Sequence, residues 1–246
     1  MTRQAQIVEL LTERGFQSVT ELADALDVAP STIRRDLEHL ATRELVQRTH
    51  GGAFPIRAAD LPVAIDKTLH RREKIAIGKA MADRILDGQT VLLDSGTTTL
   101  EVARHLRSSR ITVVTNDLQI GTAIAERQTA NLVFIGGELL PNDWSMWGPT
   151  AVEQLRNLRV NVAILGCDTV MDDGLYSTSS YEIELKRTML SVANEAFFVA
   201  DSWKFGRDAL FRIADLDPFT AGITDTHLDP LRASTFPVPL IRASAT

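Results

Sequence analysis

From residue 71 onward the chain alternates short apolar runs with helical periods. The runs are Val91–Leu93, Ile111–Val114, Leu132–Ile135, Val160–Leu165 and Ala196–Ala200, set among helical patterns near 72–86, 98–106, 118–127, 149–158 and 181–193. A strand that is apolar at successive positions has to bury both faces, as strands of parallel sheets do. A helix between successive strands supplies the crossover that parallel pairing needs and covers the sheet. The pattern predicts an α/β domain on a mostly parallel sheet.

Residues 1–54 have a different texture. Ile7, Val8, Leu10 and Leu11 mark an amphipathic helix with Gly15 as its stop. Leu22 and Leu26 share a face of a second helix from about Thr20 to Leu26, and Ile33, Leu37 and Leu40 share a face of a third. Val46–Thr49 suits a short strand, with His50-Gly51-Gly52-Ala53 as a tight reversal. The stretch that follows holds two of the nine prolines and no strong period. We therefore expect an all-α head over 1–56, a linker over 57–70, and a sensor over 71–242 with a frayed tail Arg242–Thr246.

Composition excludes several classes. With 44% hydrophobic and 24% charged residues, the chain is neither disordered nor of low complexity. No apolar run approaches the roughly 20 residues that span a bilayer, and the first residues lead into an amphipathic helix, not a signal-peptide core. The expectation is a cytoplasmic protein with no membrane partner. Cys167 is the only cysteine, so no internal disulfide can form; its apolar surroundings, with no positive charge close in sequence, suit a packed, inert thiol. Five scattered histidines show no ligand spacing, so no metal is expected. A net charge of −6 argues against coating nucleic acid by bulk electrostatics but permits a small head with a few placed arginines.

On a wheel of about 100° per residue the third helix places Ser31, Arg35, Glu38 and Thr42 opposite the apolar face, with Arg34 and His39 on the flanks. The pattern alone fits a plain solvated surface helix as well as a helix-turn-helix reading helix. In the second reading Arg35 can fork onto a guanine edge, and Ser31, Thr32 and Arg34 sit near phosphates. Residues 1–54 carry six Lys/Arg against eight Asp/Glu, a net of −2. A head this acidic binds DNA weakly alone, so a dimer or tetramer presenting paired heads is expected.

In the second region, polar groups cluster where the strands end. After Val91–Leu93 comes Asp94-Ser95-Gly96-Thr97-Thr98-Thr99, whose amides and hydroxyls at a helix start suit an anion, although a plain capped turn has the same composition. Asp94 would repel a phosphate and is better suited to hydrogen-bond the loop or a sugar hydroxyl. Asn116, Asp168 and Lys204 follow other strands, at the edge where open α/β sheets bind ligands. Lys204 is the cation candidate. Glu182 and Glu184, two apart on a helix, face different sides, and Asp172-Asp173-Gly174 reads as a turn. Trp144 and Trp147 fit a pocket lid, an oligomer contact or simple packing.

Ser31-Thr32-Ile33-Arg34-Arg35-Asp36-Leu37, then Leu40 and Arg48-Thr49-His50-Gly51-Gly52-Ala53, closely resembles the DeoR family of bacterial transcriptional regulators. The resemblance continues through Asp94–Thr99, Thr115-Asn116, Gly136-Gly137, Gly148-Pro149 and Asp201-Ser202 with Lys204-Phe205-Gly206. It implies a winged helix-turn-helix contacting double-stranded operator DNA through Ser31, Thr32, Arg34, Arg35, Glu38 and Thr42, with Arg48 and His50 on the wing. It also implies a sensor similar in fold to ribose-5-phosphate isomerase that binds a phosphorylated sugar or polyol. In that sensor Ser95, Gly96, Thr97, Thr98 and Thr99 would hold the phosphate, with Asn116, Asp168 and Lys204 near the sugar, and Asp94 is the effector residue that the loop's own chemistry adds. The expected function is a homo-oligomeric repressor of a carbohydrate operon, without cofactor or catalysis. The rival is an isomerase-like enzyme fused to a DNA-binding head, with Asp94, Asp168 and Lys204 as acid–base groups. The chain departs from the family's usual pattern at Ala29, where a capping Ser is common, at Thr169, where Gly is common, and at Trp203, where Ser is common.

Overall fold

The computed structural model describes residues 2–14, 16–42, 45–49, 51–55, 70–127, 130–139 and 144–244. Gly15, His50 and the linker 57–70 apart from His70 lie outside the described residues. The chain forms two compact units, Met1–Leu69 and His70–Thr246.

In the first unit, helices α1 (Arg3–Arg14), α2 (Val19–Leu26) and α3 (Pro30–Thr42) close on a core made by Ile7, Val8, Leu11, Leu22, Ile33, Leu37 and Leu40. Ser18 caps α2: its hydroxyl accepts from the Glu21 amide while the Glu21 carboxylate accepts from the Ser18 amide, a reciprocal capping box. Asp27 adopts a left-handed conformation (φ 51°) and Val28 N–H donates to the Ala23 carbonyl, which ends α2 and turns the chain into α3. Ala29 offers no side-chain cap; its carbonyl accepts from the Thr32 and Ile33 amides. The head also carries a three-stranded antiparallel sheet in the order β1 (Gln17–Ser18), β3 (Gly52–Pro55), β2 (Val46–Thr49). It is therefore helical with a β wing, not purely α.

The second unit is built on seven parallel strands in the order β15-β14-β12-β9-β4-β5-β6. These are β4 (Thr90–Leu93), β5 (Thr112–Thr115), β6 (Asn131–Phe134), β9 (Val160–Gly166), β12 (Ala193–Val199), β14 (Ala221–Asp225) and β15 (Leu240–Ala243). Between β6 and β9 in the chain, β7 (Glu138–Leu139) and β8 (Met146–Trp147) pair antiparallel apart from this sheet. All five predicted runs become strands. Alternate residues feed opposite cores: Val162 and Ile164 of β9 pack with α4 (Arg71–Ala82), α5 (Thr97–His105) and α6 (Leu118–Arg127), whereas Ala163 and Leu165 pack with α7 (Pro149–Arg156) and α8 (Ile183–Ser191). Gly78 lets α4 lie against α5, since a Cβ there would come within 2.6 Å of the Glu101 carbonyl carbon.

The tail does not fray at Arg242. Arg242 and Ala243 finish β15 opposite Thr224 and Asp225 of β14, because the sheet extends two strands further than the apolar runs indicate. Asp172 and Asp173 form the turn of the antiparallel hairpin β10 (Thr169–Met171) and β11 (Gly174–Ser177), which pairs with β13 (Phe211–Ala214) in a second small sheet. The first strand of the large sheet, β4, lies between β5 and β9, so successive connections leave it in opposite directions. Such a switch point opens a crevice beyond the carboxyl ends of the strands.

Candidate functional site

The head displays one polar helix face. Ile33, Leu37 and Leu40 are fully buried, which turns Ser31, Arg34, Arg35, Glu38 and Thr42 outward; Thr32 is half-buried. The Thr42 hydroxyl donates back to the Glu38 carbonyl. Asp36, which sequence reasoning gave no role, is buried and bonded to Arg3 of α1 at 2.5 Å. Burial opposes its ionisation most strongly of any single cause, but the Arg3 and Gln4 bonds and the nearby Arg3 charge together hold its carboxyl below the usual range. Arg48 is exposed on β2, paired in register with Ala53 of β3. A helix held by its apolar side, with two arginines facing solvent in a unit that also carries the paired strands β2 and β3, has the form of a major-groove reading element.

In the second unit the loop after β4 reaches the switch point. Asp94 is buried, and its Oδ2 accepts from the Gly166 amide at 2.9 Å and from the Lys186 ammonium. The Lys186 Nζ also donates to the Gly166 carbonyl at 3.1 Å and lies 3.2 Å from Glu182. These partners occupy all three ammonium donors. Burial alone would lower the Lys186 pKa, but Asp94 and Glu182 outweigh it and hold the group charged, above its ordinary range. Glu182 goes the other way: burial pushes its carboxyl up, against the pull of Lys186. Sequence reasoning missed both Lys186 and Glu182 as members of this site.

Around this ion pair lies a pocket. Asp94, Ser95 and Asn116 line it from the strand ends; Ser179, Tyr181, Glu182 and Leu185 line it from the start of α8 and the turn before it. Ser145, Met146 and Trp147 complete it. They are held there because Met146 N–H donates to the Asn116 carbonyl, while Leu118 N–H donates to the Trp144 carbonyl. Trp147 meets Tyr181 edge-on with ring centroids 4.8 Å apart. Asp117 is a helix cap, its Oδ1 accepting from the Gln119 and Ile120 amides and its Oδ2 from the Gly96 amide at 3.3 Å.

The predicted sensor residues are only partly brought together. Asp94, Ser95 and Asn116 share the pocket. Gly96 (φ +128°) leads into α5, whose first turn holds Thr97, Thr98 and Thr99; Thr98 and Thr99 are buried, and the Thr99 hydroxyl donates to the Gly96 carbonyl. Asp168 accepts from the Thr178 amide and hydroxyl at 2.8 and 2.7 Å, and Lys204 donates to the Cys167 carbonyl at 2.6 Å. Neither lines the pocket. Burial opposes ionisation of Asp168, but the Lys204 charge and the Thr178 donors keep its carboxyl below the usual range. Cys167 is buried as expected. Contrary to expectation, positive charge is near it, yet burial dominates and pushes the thiol up to about 12, which leaves it inert. The described residues contain no group of three metal-ligating side chains, and no helix among them is long and apolar enough to cross a membrane.

Comparison with known families matches residues 3–57 to the DeoR-like helix-turn-helix domain and residues 69–226 to the DeoR C terminal sensor domain. The chain belongs to the DeoR family. Among its relatives, the transcriptional repressor AccR of Agrobacterium fabrum is 35% identical over 229 residues, covering 91% of this chain and 89% of AccR. The glycerol-3-phosphate regulon repressor of Escherichia coli is 32% identical, covering 89% and 88%. A solved D-ribose-5-phosphate isomerase in complex with phospho-erythronic acid aligns over 54% of this chain and 52% of its own, with a TM-score of 0.41 and 17% identity. This DeoR-family chain thus shares both halves of its length with named transcriptional repressors.

Proposed function

We propose that this protein is a cytoplasmic repressor of a carbohydrate operon, and that a phosphorylated sugar or polyol releases it from its operator. The observation that carries the reading is the outward face of α3, where Arg34 and Arg35 stand opposite the buried Ile33, Leu37 and Leu40. Arg35 reads a base edge; Arg34, Ser31 and Thr32 contact phosphates; Glu38 and Thr42 extend the same face; Arg48 and His50 take the wing. With a head charge of −2, affinity comes from a dimer or tetramer that pairs two heads on two half-sites. On the sensor side, the name of the relative that regulates a glycerol-3-phosphate regulon supports a phosphorylated effector. The amides opening α5 would take the phosphate, with Asp94 and Asn116 at the polyol; Asp168 and Lys204 act from outside the pocket. Effector and operator then oppose each other with a coupling of about 1–3 kcal/mol, transmitted through the linker.

The test is binding of the full-length protein to its own upstream intergenic DNA at fixed salt, titrated with phosphorylated and unphosphorylated sugars and polyols. Specific binding released only by a phosphorylated compound is the expected result; binding indifferent to the whole panel refutes the effector half. The two arginines separate in the same assay. Arg35→Ala is expected to lose about 1–3 kcal/mol of discrimination at one base pair. Arg34→Ala should weaken every sequence alike and reduce the salt slope by about one.

A further inference from the structure

The pocket of the second unit carries charge of one sign on its wall. Its lining includes two carboxylates, Asp94 and Glu182, and among the described residues no lysine, arginine or histidine. Lys186, 3% exposed behind the wall and bonded to Asp94, Glu182 and the Gly166 carbonyl, balances one of the two charges and has no donor left for a ligand, so one negative charge stays in excess. Asn116 adds an independent sign. It is 2% exposed, its Nδ2 donates to the Met146 carbonyl at 2.9 Å, and that bond leaves Oδ1 as a buried acceptor with no donor. A buried acceptor without a donor is costly, and a ligand hydroxyl in the pocket would supply one.

We propose that this pocket selects the uncharged hydroxyl-bearing end of its ligand and rejects an acid in the same place. The inference rests on the phosphorylated-effector reading above and narrows its ligand class. Hydroxyls donate to Asp94, Glu182 and Asn116 Oδ1; a ligand carboxylate cannot donate to them, and it meets the excess negative charge in a partly desolvated site. Trp147 and Tyr181, at an interplanar angle of 68°, form an apolar wall for the carbon chain. Glu182 sets the discrimination because, unlike Asp94, its side chain keeps 31% exposure and faces the ligand space directly.

Two pairs of compounds that differ only by CH2OH against COO− test this on the full-length protein by isothermal titration. They are glycerol 3-phosphate with 3-phosphoglycerate, matched in configuration at C2, and sorbitol 6-phosphate with 6-phosphogluconate. The alcohol should bind about tenfold or more tighter than its acid. In Glu182→Gln the preference should shrink at least about threefold, through tighter binding of the acid. An acid that binds as well as its alcohol, or a ratio unchanged in Glu182→Gln, overturns the inference and leaves the phosphorylated-effector reading standing. Silence of all four compounds, while the operator titration above still finds a phosphorylated effector, overturns the inference alone; silence here together with indifference of operator binding to the whole panel refutes the phosphorylated-effector reading.

Discussion

Lys186→Met destabilises the second unit by about 3–5 kcal/mol, seen as a fall in its Tm on the order of 10 °C. The side chain keeps most of its packing in this substitution, so the loss isolates the charge. What remains is Asp94, 1% exposed, held by the Gly166 amide. A buried carboxylate deprived of its cation keeps its desolvation penalty and loses the attraction that offset it. The double variant Asp94→Asn with Lys186→Met removes both charges and should recover a large part of the loss, so the two substitutions are far from additive. Calorimetry on the four proteins measures this. A Lys186→Met protein that melts within about 1 °C of wild type would show that the ion pair does not hold the β4–β9 switch point together.

The fold was legible where strands are made of bulky apolar residues, and it failed where they are not. β14 is buried along its whole length, yet its sequence Ala-Gly-Ile-Thr-Asp has a single large apolar side chain. The reason is packing from the neighbouring strand: a Cβ at Gly222 would lie 2.1 Å from the Phe198 ring, so the bulk that fills this layer comes from β12. A pattern search on β14 alone cannot see that. β15 is an edge strand, half-buried and preceded by Pro237 and Pro239, which hides its period.

The site was legible to the extent that it lies at strand ends. Asp94, Ser95 and Asn116 each follow a predicted strand directly, and they meet because β4 and β5 are neighbours in register. Lys186 was not found, because a lysine inside an amphipathic helix reads as solvated. The signal was present: Lys186 lies beside Leu185 and three residues from Met189, both buried, and four residues from Glu182. A lysine on the apolar face of a helix needs a partner, and the nearest one in sequence is four residues back. Glu184, two positions on, faces the other way and bonds Arg156 at 3.0 Å on the surface, as the helical spacing requires.

Leu37→Ala should abolish operator binding while the second unit melts as in wild type. Leu37 is fully buried in the head, packed with Ile33, Leu40, Leu22 and the apolar face of α1. Truncating a buried leucine costs about 2–5 kcal/mol, the upper part of that range where the site cannot collapse. A head of this size has only a few kcal/mol of stability at about 0.05–0.15 kcal/mol per residue, since a small domain buries a small share of its surface. One core truncation therefore removes most of the margin. The sheet β1-β3-β2 cannot compensate, because two of its strands run four residues and the third only two. Leu37→Met, which conserves volume, should retain binding within a few-fold. Operator titration of both variants, with circular dichroism melts alongside, decides the matter. If Leu37→Ala binds DNA like wild type, the head must draw its stability from outside its own core, with partner heads in the oligomer as the first place to look.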